Sequence, residues 1–432
     1  MKYTFILSIS ALFISHQTYA KNVCIPQHTT QDATVIIQTS LDQCQNKVVE
    51  LQAGVWLSGP LNLPNNTTLK LNKGSVLKAN PQQKFKPAYI KEAAHSGEAL
   101  IYASNVSNIK IIGEGTLDGN GQADWQEATR LRNDMKKGNY DEFKKLFPGV
   151  PPSNGMPRPW LFEFDHVKNS TIDGIQLINS PMWTMVIRNS DGIQVKNVKI
   201  FNPEDAPNTD GIDIVSSKNI KLSNLDIVTG DDNIAIKSGL DKNSLGSQGI
   251  SENIEISNVR MGTGHGLSIG SETVHGVRNI KISNVEFKGT DNGIRIKSAR
   301  DRGNVIENIS AQNIKMDHVT YPIVLTAIYS SMTGGYDKNF LTPVEREAMT
   351  ATTPIIRNIS IKNLTATNAL QAGLISGLPE SPIQNMQLQN IHIEAKDGLQ
   401  NRYVQGRLKN VHIQTKHDSS TQNGPQPNLT MN

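Results

Sequence analysis

One short phrase of alternating apolar and polar residues around a fixed asparagine recurs along the chain. It reads VKNVKI, KLSNLDI, EISNVRM and KISNVEF in four of its copies. Eight copies have their asparagine at Asn197, Asn224, Asn258, Asn284, Asn313, Asn363, Asn390 and Asn410. The spacings between them are 27, 34, 26, 29, 50, 27 and 20 residues. Most of these spacings are typical of a solenoid whose turns carry loops of variable length.

Each phrase predicts a short β-strand, because alternation of apolar and polar residues gives a strand one buried face. The asparagine tolerates left-handed backbone at a corner and can hydrogen-bond its counterpart in the next coil. Short strands recur without long helical patterns between them, which predicts an all-β chain folded as a parallel β-helix. A two-sheet sandwich would not explain why one phrase recurs in register.

The first twenty residues predict a secretory signal peptide. Lys2 precedes an apolar run over residues 3–14, and small residues at Thr18 and Ala20 suit cleavage after Ala20. No other run approaches the roughly 20 apolar residues that a membrane span needs. We therefore expect a soluble mature chain that is exported, to the periplasm or the medium, without membrane attachment.

A short helix is predicted at the N-terminus of the mature chain, over residues 33–45. Asp32 can cap it, and Ile37, Leu41 and Cys44 fall at helical spacing on one face. Because the open end of a solenoid needs a cover, we expect this helix to cap the N-terminal end of the stack.

The chain has two cysteines, Cys24 and Cys44. In an oxidising compartment such a pair predicts one disulfide. It would close a loop of about 20 residues and stabilise the fold by roughly 3 kcal/mol in the chain-entropy model. The disulfide would therefore pin the capping segment, at about residues 21–50.

Two segments interrupt the repeat, at residues 120–160 and 330–353. Both contain charged residues together with glycine and proline. We expect them to be long loops that project from the solenoid rather than separate domains. The mature chain, residues 21–432, is thus predicted to form a single β-helix domain.

The charge balance permits a polyanionic partner without requiring one. The formal net charge is +4, and removal of Lys2 with the signal peptide makes it +3. Aromatic residues make up 5% of the chain, and no basic run contains interleaved aromatics. This composition argues against a nucleic-acid partner.

Residues 229–232 read TGDD, and two adjacent carboxylates repel each other unless something compensates. A solvated turn is one explanation, since glycine and aspartate are ordinary turn residues. A second explanation follows from stacking one strand from each of four coils, DGIDIV, DNIAIK, HGLSIG and NGIRIK, at spacings of 22, 33 and 27 residues. Their first positions form a column in which neighbours lie about 4.8 Å apart. That column is Asp210, Asp232, His265 and Asn292.

Two further columns follow from the same alignment. The first is Asp213, Ala235, Ser268 and Arg295, and the second is Val215, Lys237, Gly270 and Lys297. The positions between them are isoleucine or leucine and should face the interior. The alignment therefore brings together on one face a histidine, an arginine, a lysine and the three acids Asp210, Asp231 and Asp232. Isolated turns do not explain this convergence.

These residue types fit the hydrolysis of a glycosidic bond, which needs one protonated and one ionised carboxyl group. Crowded acids have pKa values that move apart, so one of them keeps its proton near neutral pH. His265 lies between two glycines, which leaves its ring open to a ligand. Arg295 and Lys297 can bind an acidic substrate, because a guanidinium binds carboxylate bidentately.

Four stretches resemble, in order and spacing, the motifs of the polygalacturonases, pectin-hydrolysing members of glycoside hydrolase family 28. They are NTDGID (208–213), GDDN (230–233), GTGHGLSIGSE (262–272) and RIK (295–297), and LSGPLNLP (57–64) is similar to the family's early coils. The resemblance implies a right-handed parallel β-helix of about ten coils and hydrolysis of α-1,4-galacturonosyl bonds with inversion. It implies no metal and no other cofactor. We expect a monomer whose partner is polygalacturonate or a pectin oligosaccharide.

The resemblance also assigns roles by position. Asp231 corresponds to the general acid, and Asp210 with Asp232 to the pair that activates water. His265 corresponds to the histidine that supports protonation of the acid. The implied substrate ligands are Arg295, Lys297, Tyr329 and Asn208. The column alignment alone would favour Tyr321 over Tyr329.

Other functions share parts of this pattern. A Ca²⁺-dependent pectate lyase could use three aspartates near basic residues, and chelator sensitivity with an ultraviolet-absorbing product would indicate it. A non-catalytic glycan-binding β-helix has no need for acid, base and basic residues together. Pectinases of rhamnogalacturonan are a third alternative, although His265 and RIK favour homogalacturonan.

The direction of attack and the stereochemistry are less constrained by the residues. Carboxylates one rung apart could lie closer than the roughly 6.5–9.5 Å of inverting enzymes, so the spacing alone would allow retention. The resemblance favours inversion. The segments at 120–160 and 330–353 could close one end of the groove and impose exo cleavage, but the motifs resemble the bacterial endo type, so we expect endo cleavage.

Overall fold

The computed structural model describes residues 23–44, 47–85, 99–150, 152, 155–239, 249–329, 340–417 and 419–431. In this part of the chain 28 strands form one continuous parallel sheet, wound into a right-handed parallel β-helix. The predicted signal peptide, residues 1–20, lies outside the described residues. None of the described helices is long and apolar enough to cross a membrane.

The solenoid has three faces, which we call the first face, the second face and the site face. Short strands form the first face in the N-terminal coils: β1 (Val48–Leu51), β4 (Thr68–Leu71), β7 (Lys110–Gly113), β10 (Lys168–Asp173) and β13 (Asp191–Lys196). The second face there consists of β2 (Gly54–Ser58), β5 (Ser75–Ala79), β8 (Thr116–Asp118), β11 (Gln176–Ile178) and β14 (Lys199–Phe201).

In later coils longer strands bend from the first face into the second. They are β16 (Lys218–Val228), β18 (Ser251–Met261), β20 (Val277–Lys288), β22 (Val305–Asp317) and β26 (Val404–Thr415). Two strands run along all three faces, β24 (Ile355–Ser376) and β25 (Ile383–Arg402), and β28 (Pro427–Met431) ends the first face.

The site face consists of short strands together with the ends of β24 and β25, so that twelve described strands stack on it. The short strands are β3 (Leu61–Asn62), β6 (Ala99–Ser104), β9 (Trp160–Asp165), β12 (Met185–Arg188), β15 (Ile212–Val215), β17 (Ile234–Lys237), β19 (Leu267–Ile269), β21 (Asn292–Lys297), β23 (Tyr321–Thr326) and β27 (Thr421–Asn423). This number is close to the coil number of about ten that the resemblance implied.

The core fills the inside of the solenoid with stacked aliphatic side chains. On the site face one inward column contains Ile212, Ile234, Leu267 and Ile294, and all of them are buried. The apolar positions between the polar columns therefore face the interior, as the alignment predicted. This packing holds the alternate, outward side chains in fixed register along the stack.

The recurring asparagines form a hydrogen-bonded ladder along one corner. Asn284, Asn313, Asn363, Asn390 and Asn410 each donate from Nδ2 to the Oδ1 of the asparagine one coil before, at 3.0–3.1 Å. Their backbone is left-handed, with φ of 52–58°. Both features of the recurring asparagine are thus confirmed.

The predicted N-terminal cap is present. Helix α1 (Thr34–Gln43) begins after Asp32, whose Oδ1 accepts a hydrogen bond from the Thr34 amide at 2.8 Å. Ile37 and Leu41 on its inner face are buried against the first coil. The disulfide between Cys24 and Cys44 is also formed.

The segment at 120–160 differs from the prediction of a loop, because it contains two helices. They are α2 (Gln122–Lys136) and α3 (Asp141–Leu146). Leu131 and Met135 of α2 pack on Phe143 of α3 and on Val150 in a small separate core. Apolar side chains at helical spacing were present in the sequence, but the charged residues between them obscured the pattern.

The second interrupting segment is described only in part. Residues 340–353 contain no helix and no strand, as expected of a projecting loop. Residues 330–339 lie outside the described residues.

Candidate active site

The polar columns predicted from the alignment occur on the site face. Strand pairing places Asp213 beside Ala235, Ala235 beside Ser268, and Ser268 beside Arg295. Lys237 pairs in the same way with Val215. The outward side chains of β15, β17, β19 and β21 therefore converge, and the residues just before these strands extend the same stack.

Three aspartates form the centre of the site. One carboxylate oxygen from each of Asp210, Asp231 and Asp232 lies within 4.8 Å of the other two. The side chains of Asp210 and Asp232 are 4% and 2% exposed, whereas that of Asp231 is 24% exposed. Asp231 is therefore the member of the cluster that a ligand can reach directly.

Asp232 lies among basic side chains. Lys297 Nζ is 2.8 Å from its Oδ2, and Arg295 forms an ion pair with its Oδ1, to which Ser268 also donates at 3.0 Å. Burial alone would raise the pKa of Asp232, but the charges of Arg295 and Lys297 outweigh it and hold the pKa below its ordinary value. Asp232 is thus ionised near neutral pH.

Asp210 has the opposite surroundings. Burial and repulsion by Asp231 and Asp213 raise its pKa well above the ordinary value, and Lys237, 3.5 Å away, offsets this in part. Since these carboxyl groups are coupled, the proton belongs to the cluster as a whole. The three aspartates thus combine a retained proton with an ionised carboxylate, as the sequence predicted for crowded acids.

Lys237 and Asp213 lie beside Asp210. Lys237 Nζ lies 2.7 Å from Asp213 Oδ1 and 3.6 Å from the centre of the Trp183 ring. Burial raises the pKa of Asp213 to about 7, although Lys237 lowers it. The alignment placed both residues in the outward columns, but it assigned no role to either.

His265 connects the aspartates to a fourth acid. Its Nε2 is 3.8 Å from Asp231 Oδ1, and its Nδ1 is 2.7 Å from Asp291 Oδ2. Burial lowers the pKa of His265, but the hydrogen bond to Asp291 and the charge of Asp231 raise it above the ordinary value overall. Asp291 was missed in the sequence, although it immediately precedes the column position Asn292.

The two candidate tyrosines occupy different surroundings. Lys297 Nζ lies 5.4 Å from the centre of the Tyr329 ring, whereas Tyr321 pairs with Asn292 and packs beside Val324 and an apolar cluster. Tyr329 is therefore the tyrosine close to the basic residues, as the resemblance implied and the column alignment did not.

Asn208 joins the site from the turn before β15. Its Nδ2 donates to Asp231 Oδ2 at 3.4 Å, and its Oδ1 accepts a hydrogen bond from Arg158 at 2.7 Å. Arg158 belongs to the segment that was expected to be a projecting loop. Arg158 lies in a segment that interrupts the repeat, so the spacing of the repeated phrases cannot predict its contact with Asn208. The sequence analysis therefore did not find this residue.

The three aspartates are also the one group of at least three potential metal ligands among the described residues. Each contributes one oxygen, whereas Ca²⁺ takes 6–8 oxygen ligands. Both oxygens of Asp232 already contact cations, Arg295 at Oδ1 and Lys297 at Oδ2. These donors fit acid–base chemistry better than a dedicated cation cage.

The chain matches the model of the family Glycosyl hydrolases family 28 over residues 44–416. It is 36% identical over 312 residues to an endo-polygalacturonase of Pectobacterium carotovorum subsp. carotovorum, covering 70% of this chain and 73% of that relative. Its fold is similar to a polygalacturonase from Erwinia carotovora ssp. carotovora, with a TM-score of 0.71, 29% identity, and coverage of 89% and 96%. A hyperthermoactive exopolygalacturonase from Thermotoga maritima gives a TM-score of 0.72 and 25% identity, with coverage of 91% and 94%.

Proposed function

Because this chain belongs to glycosyl hydrolases family 28, we propose that it hydrolyses the α-1,4-galacturonosyl bonds of polygalacturonate and pectin. The match to the family model, over residues 44–416, includes the entire site face around the aspartates. We infer that this region acts as one catalytic domain. The substrate assignment agrees with the names of the relatives and with the basic residues beside the acids.

The observation that carries the proposal is the cluster of three carboxyl groups, one of which, Asp232, contacts the basic side chains of Arg295 and Lys297. Glycosidic hydrolysis needs a proton donor and an ionised carboxylate within reach of the same bond. Arg295 and Lys297 add positive charge where a galacturonate carboxylate must bind. Both are buried against Asp232, so substrate shares them with that aspartate.

We assign proton donation to Asp231, because it is the exposed member of the cluster. The pKa of Asp210, which burial and the neighbouring acids raise, keeps a proton within the cluster. The nearest oxygens of the three carboxyl groups lie within 4.8 Å of one another, and this proximity gives a route by which the proton reaches Asp231. His265, held by Asp291, lies beside Asp231 and supports that transfer.

We assign activation of water to Asp232, with Asp210 as its partner. Asp232 is ionised because of Arg295 and Lys297, and an ionised carboxylate is what a general base must be. Asn208 and Tyr329 complete the proposed substrate contacts, next to Asp231 and Lys297 respectively.

Inversion is the proposed stereochemistry. The nearest oxygens of the three aspartates lie within 4.8 Å, closer than the roughly 6.5–9.5 Å separation of typical inverting carboxylates. The direct attack of a carboxylate would require an exposed nucleophile, yet Asp210 and Asp232 are almost completely buried. Attack by an activated water molecule fits this burial better than covalent attack.

Endo cleavage is the proposed direction of attack, since the bacterial relative at 36% identity is an endo-polygalacturonase. Exo cleavage is the second candidate, because a structural neighbour at 25% identity is an exopolygalacturonase. Export from the cell is proposed from the N-terminal sequence, which has the pattern of a cleavable signal.

The first experiment is a time course on polygalacturonate, run in parallel with and without EDTA. Viscosity, reducing ends and ultraviolet absorbance are followed together, and Asp231→Asn is the matched variant. A fast fall in viscosity with few reducing ends and no new absorbance is expected. The variant should lose turnover by at least about 100-fold, the contribution of general acid catalysis, while its circular dichroism spectrum is unchanged.

Each other outcome identifies a different function. Release of mono- or digalacturonate at nearly constant viscosity means exo attack. An absorbing product that EDTA suppresses means a Ca²⁺-dependent lyase. No reaction with any pectic polymer, together with retained binding, means a glycan-binding protein, and near-normal turnover by Asp231→Asn removes that residue from the mechanism.

A further inference from the structure

The insert between β8 and β9 ends in the sequence Pro157-Arg158-Pro159. Proline fixes its own φ and restricts the residue before it to extended backbone, so Arg158 has little conformational freedom. Its side chain is directed into the protein, and the residue is 1% exposed. Burial of a guanidinium at this position has a free-energy cost that its contacts must offset.

The partners of Arg158 are carbonyl oxygens rather than carboxylates. Its guanidinium donates to Pro181 O at 3.0 Å, to Pro207 O at 2.8 Å and to Asn208 Oδ1 at 2.7 Å. Among the described residues no carboxylate lies within salt-bridge distance of it. A buried cation without a direct counter-ion is costly for a purely structural role, for which a neutral donor would suffice.

The contact with Asn208 determines the orientation of the amide. A guanidinium can only donate hydrogen bonds, so it selects the oxygen of Asn208 and directs the Nδ2 group to the opposite side. On that side lies Asp231, whose Oδ2 accepts from Asn208 Nδ2 at 3.4 Å. Without Arg158 the amide could reverse and present its oxygen to the carboxylate.

We propose that Arg158 is a positioning residue for proton donation, which orients Asn208 toward Asp231 and stabilises the carboxylate that Asp231 becomes. The inference rests on the proposed role of Asp231 as general acid. An ordered N–H donor and a nearby positive charge favour the ionised product of proton transfer over the protonated reactant, so they lower the barrier.

The charges around Asp231 give the sign of the effect. The carboxyl groups of Asp210 and Asp232 lie next to it, and the basic groups of His265, Lys297 and Arg158 are within electrostatic range of it. Tyr329 is neutral near pH 7, since burial raises its pKa. On the other side, Asp124 and Arg132 face Arg158 itself. Replacement of Arg158 by a neutral residue therefore removes one of the positive charges that stabilise the carboxylate formed at Asp231.

The test is the pH dependence of kcat and KM on polygalacturonate for Arg158→Gln and Arg158→Lys. In Arg158→Gln we expect kcat to fall about tenfold, the size of one lost charge-assisted hydrogen bond. KM should change by less than about threefold, and the alkaline limb should move to higher pH, because a positive charge that stabilises the carboxylate is lost. Arg158→Lys keeps the charge, so its alkaline limb should remain near that of the wild type while kcat falls less.

Arg402→Gln is the control, because Arg402 is also completely buried and donates to Thr342 O and to Ser376 Oγ in the C-terminal coils. It should lose thermal stability without movement of either pH limb. If Arg158→Gln folds with wild-type kcat and pH limbs, the proposal is overturned. If Arg158→Gln does not fold, Arg158→Lys decides, since an unchanged kcat in that variant also overturns it. If the wild-type protein itself has no activity on polygalacturonate, the proposed function is refuted instead.

Discussion

Asp210 and Asp232 stand one rung apart in the same column, yet their surroundings move their pKa values in opposite directions. Asp232 contacts Arg295 and Lys297, while Asp210 is next to other acids and has Lys237 as its cationic neighbour. The difference arises from the adjacent columns rather than from the position in the repeat. At this site a residue's neighbours across the coils therefore decide which acid is ionised.

Replacement of Arg295 by alanine tests whether the neighbours of Asp232 keep it ionised. Arg295 lowers the pKa of Asp232, so its loss should raise that pKa. Because the base acts when ionised and loses activity as the pH falls through its pKa, the acidic limb of kcat should move to higher pH. KM should rise about tenfold or more, since a charge-assisted contact with the substrate carboxylate is also lost.

Arg295→Lys is the matched control, because it keeps the positive charge but not the planar fork. Its acidic limb should stay close to that of the wild type while KM rises. An alanine variant with unchanged KM would remove Arg295 from the substrate contacts. An alanine variant with an unmoved acidic limb would show that Asp232 does not act as the base.

Residues inside the repeat were predictable, and residues supplied from outside it were not. The register that aligns Ile212 with Ile234 and Leu267 also aligns the catalytic candidates, so spacing was sufficient to bring them together. Asp291 lies in a turn, and Arg158 lies at the end of an insert of irregular length. Their contacts depend on turn geometry, which carries no periodic signal.

At the scale of elements the strands were better predicted than the helices. Alternation identified β18, β20 and β22 directly, because one face of each strand is buried. Helix α2 was missed, since its buried Leu131 and Met135 pack in the insert's own small core rather than on the solenoid. A second asparagine ladder, with Asn253, Asn279 and Asn308 among its members, was missed as well.

The contribution of the N-terminal cap, helix α1 with its disulfide, to the free energy of unfolding can be measured separately. Simultaneous replacement of Cys24 and Cys44 by serine removes the disulfide that joins the cap to the segment before it. We expect a loss of about 3 kcal/mol in the free energy of unfolding, as the chain-entropy model gives for a 20-residue loop. The midpoint of thermal unfolding should fall, and reduction of the wild type should have the same effect.

Activity at room temperature should be preserved in that variant, because the cap covers the first coil whereas the aspartates lie in coils near the middle of the stack. Ile37 and Leu41 would be the first core residues exposed. An unfolding midpoint equal to that of the wild type would mean that packing of α1 alone holds the cap.

The whole molecule is a stack in which each coil pairs with the coil before it and the coil after it. In such a solenoid stability is approximately a sum of coil stabilities and nearest-neighbour interfaces. The active site takes residues from successive coils, so it depends on the interfaces in the middle of the stack. Interfaces near the C-terminal end should matter for stability but not for chemistry.

Two equivalent substitutions in the asparagine ladder separate these contributions. Asn390→Ala and Asn284→Ala each remove a donor to the previous coil and an acceptor for the next, and each places alanine at a positive φ. Each should cost about 2–3 kcal/mol from lost hydrogen bonds and backbone strain.

Hydrogen exchange should rise around β24, β25 and β26 in the first variant and around β18, β20 and β22 in the second. Because β19 and β21 of the site lie in the disturbed region of Asn284→Ala, that variant alone should lose activity below its unfolding temperature. Faster exchange over the entire stack in both variants would instead mean that the solenoid unfolds as one cooperative unit.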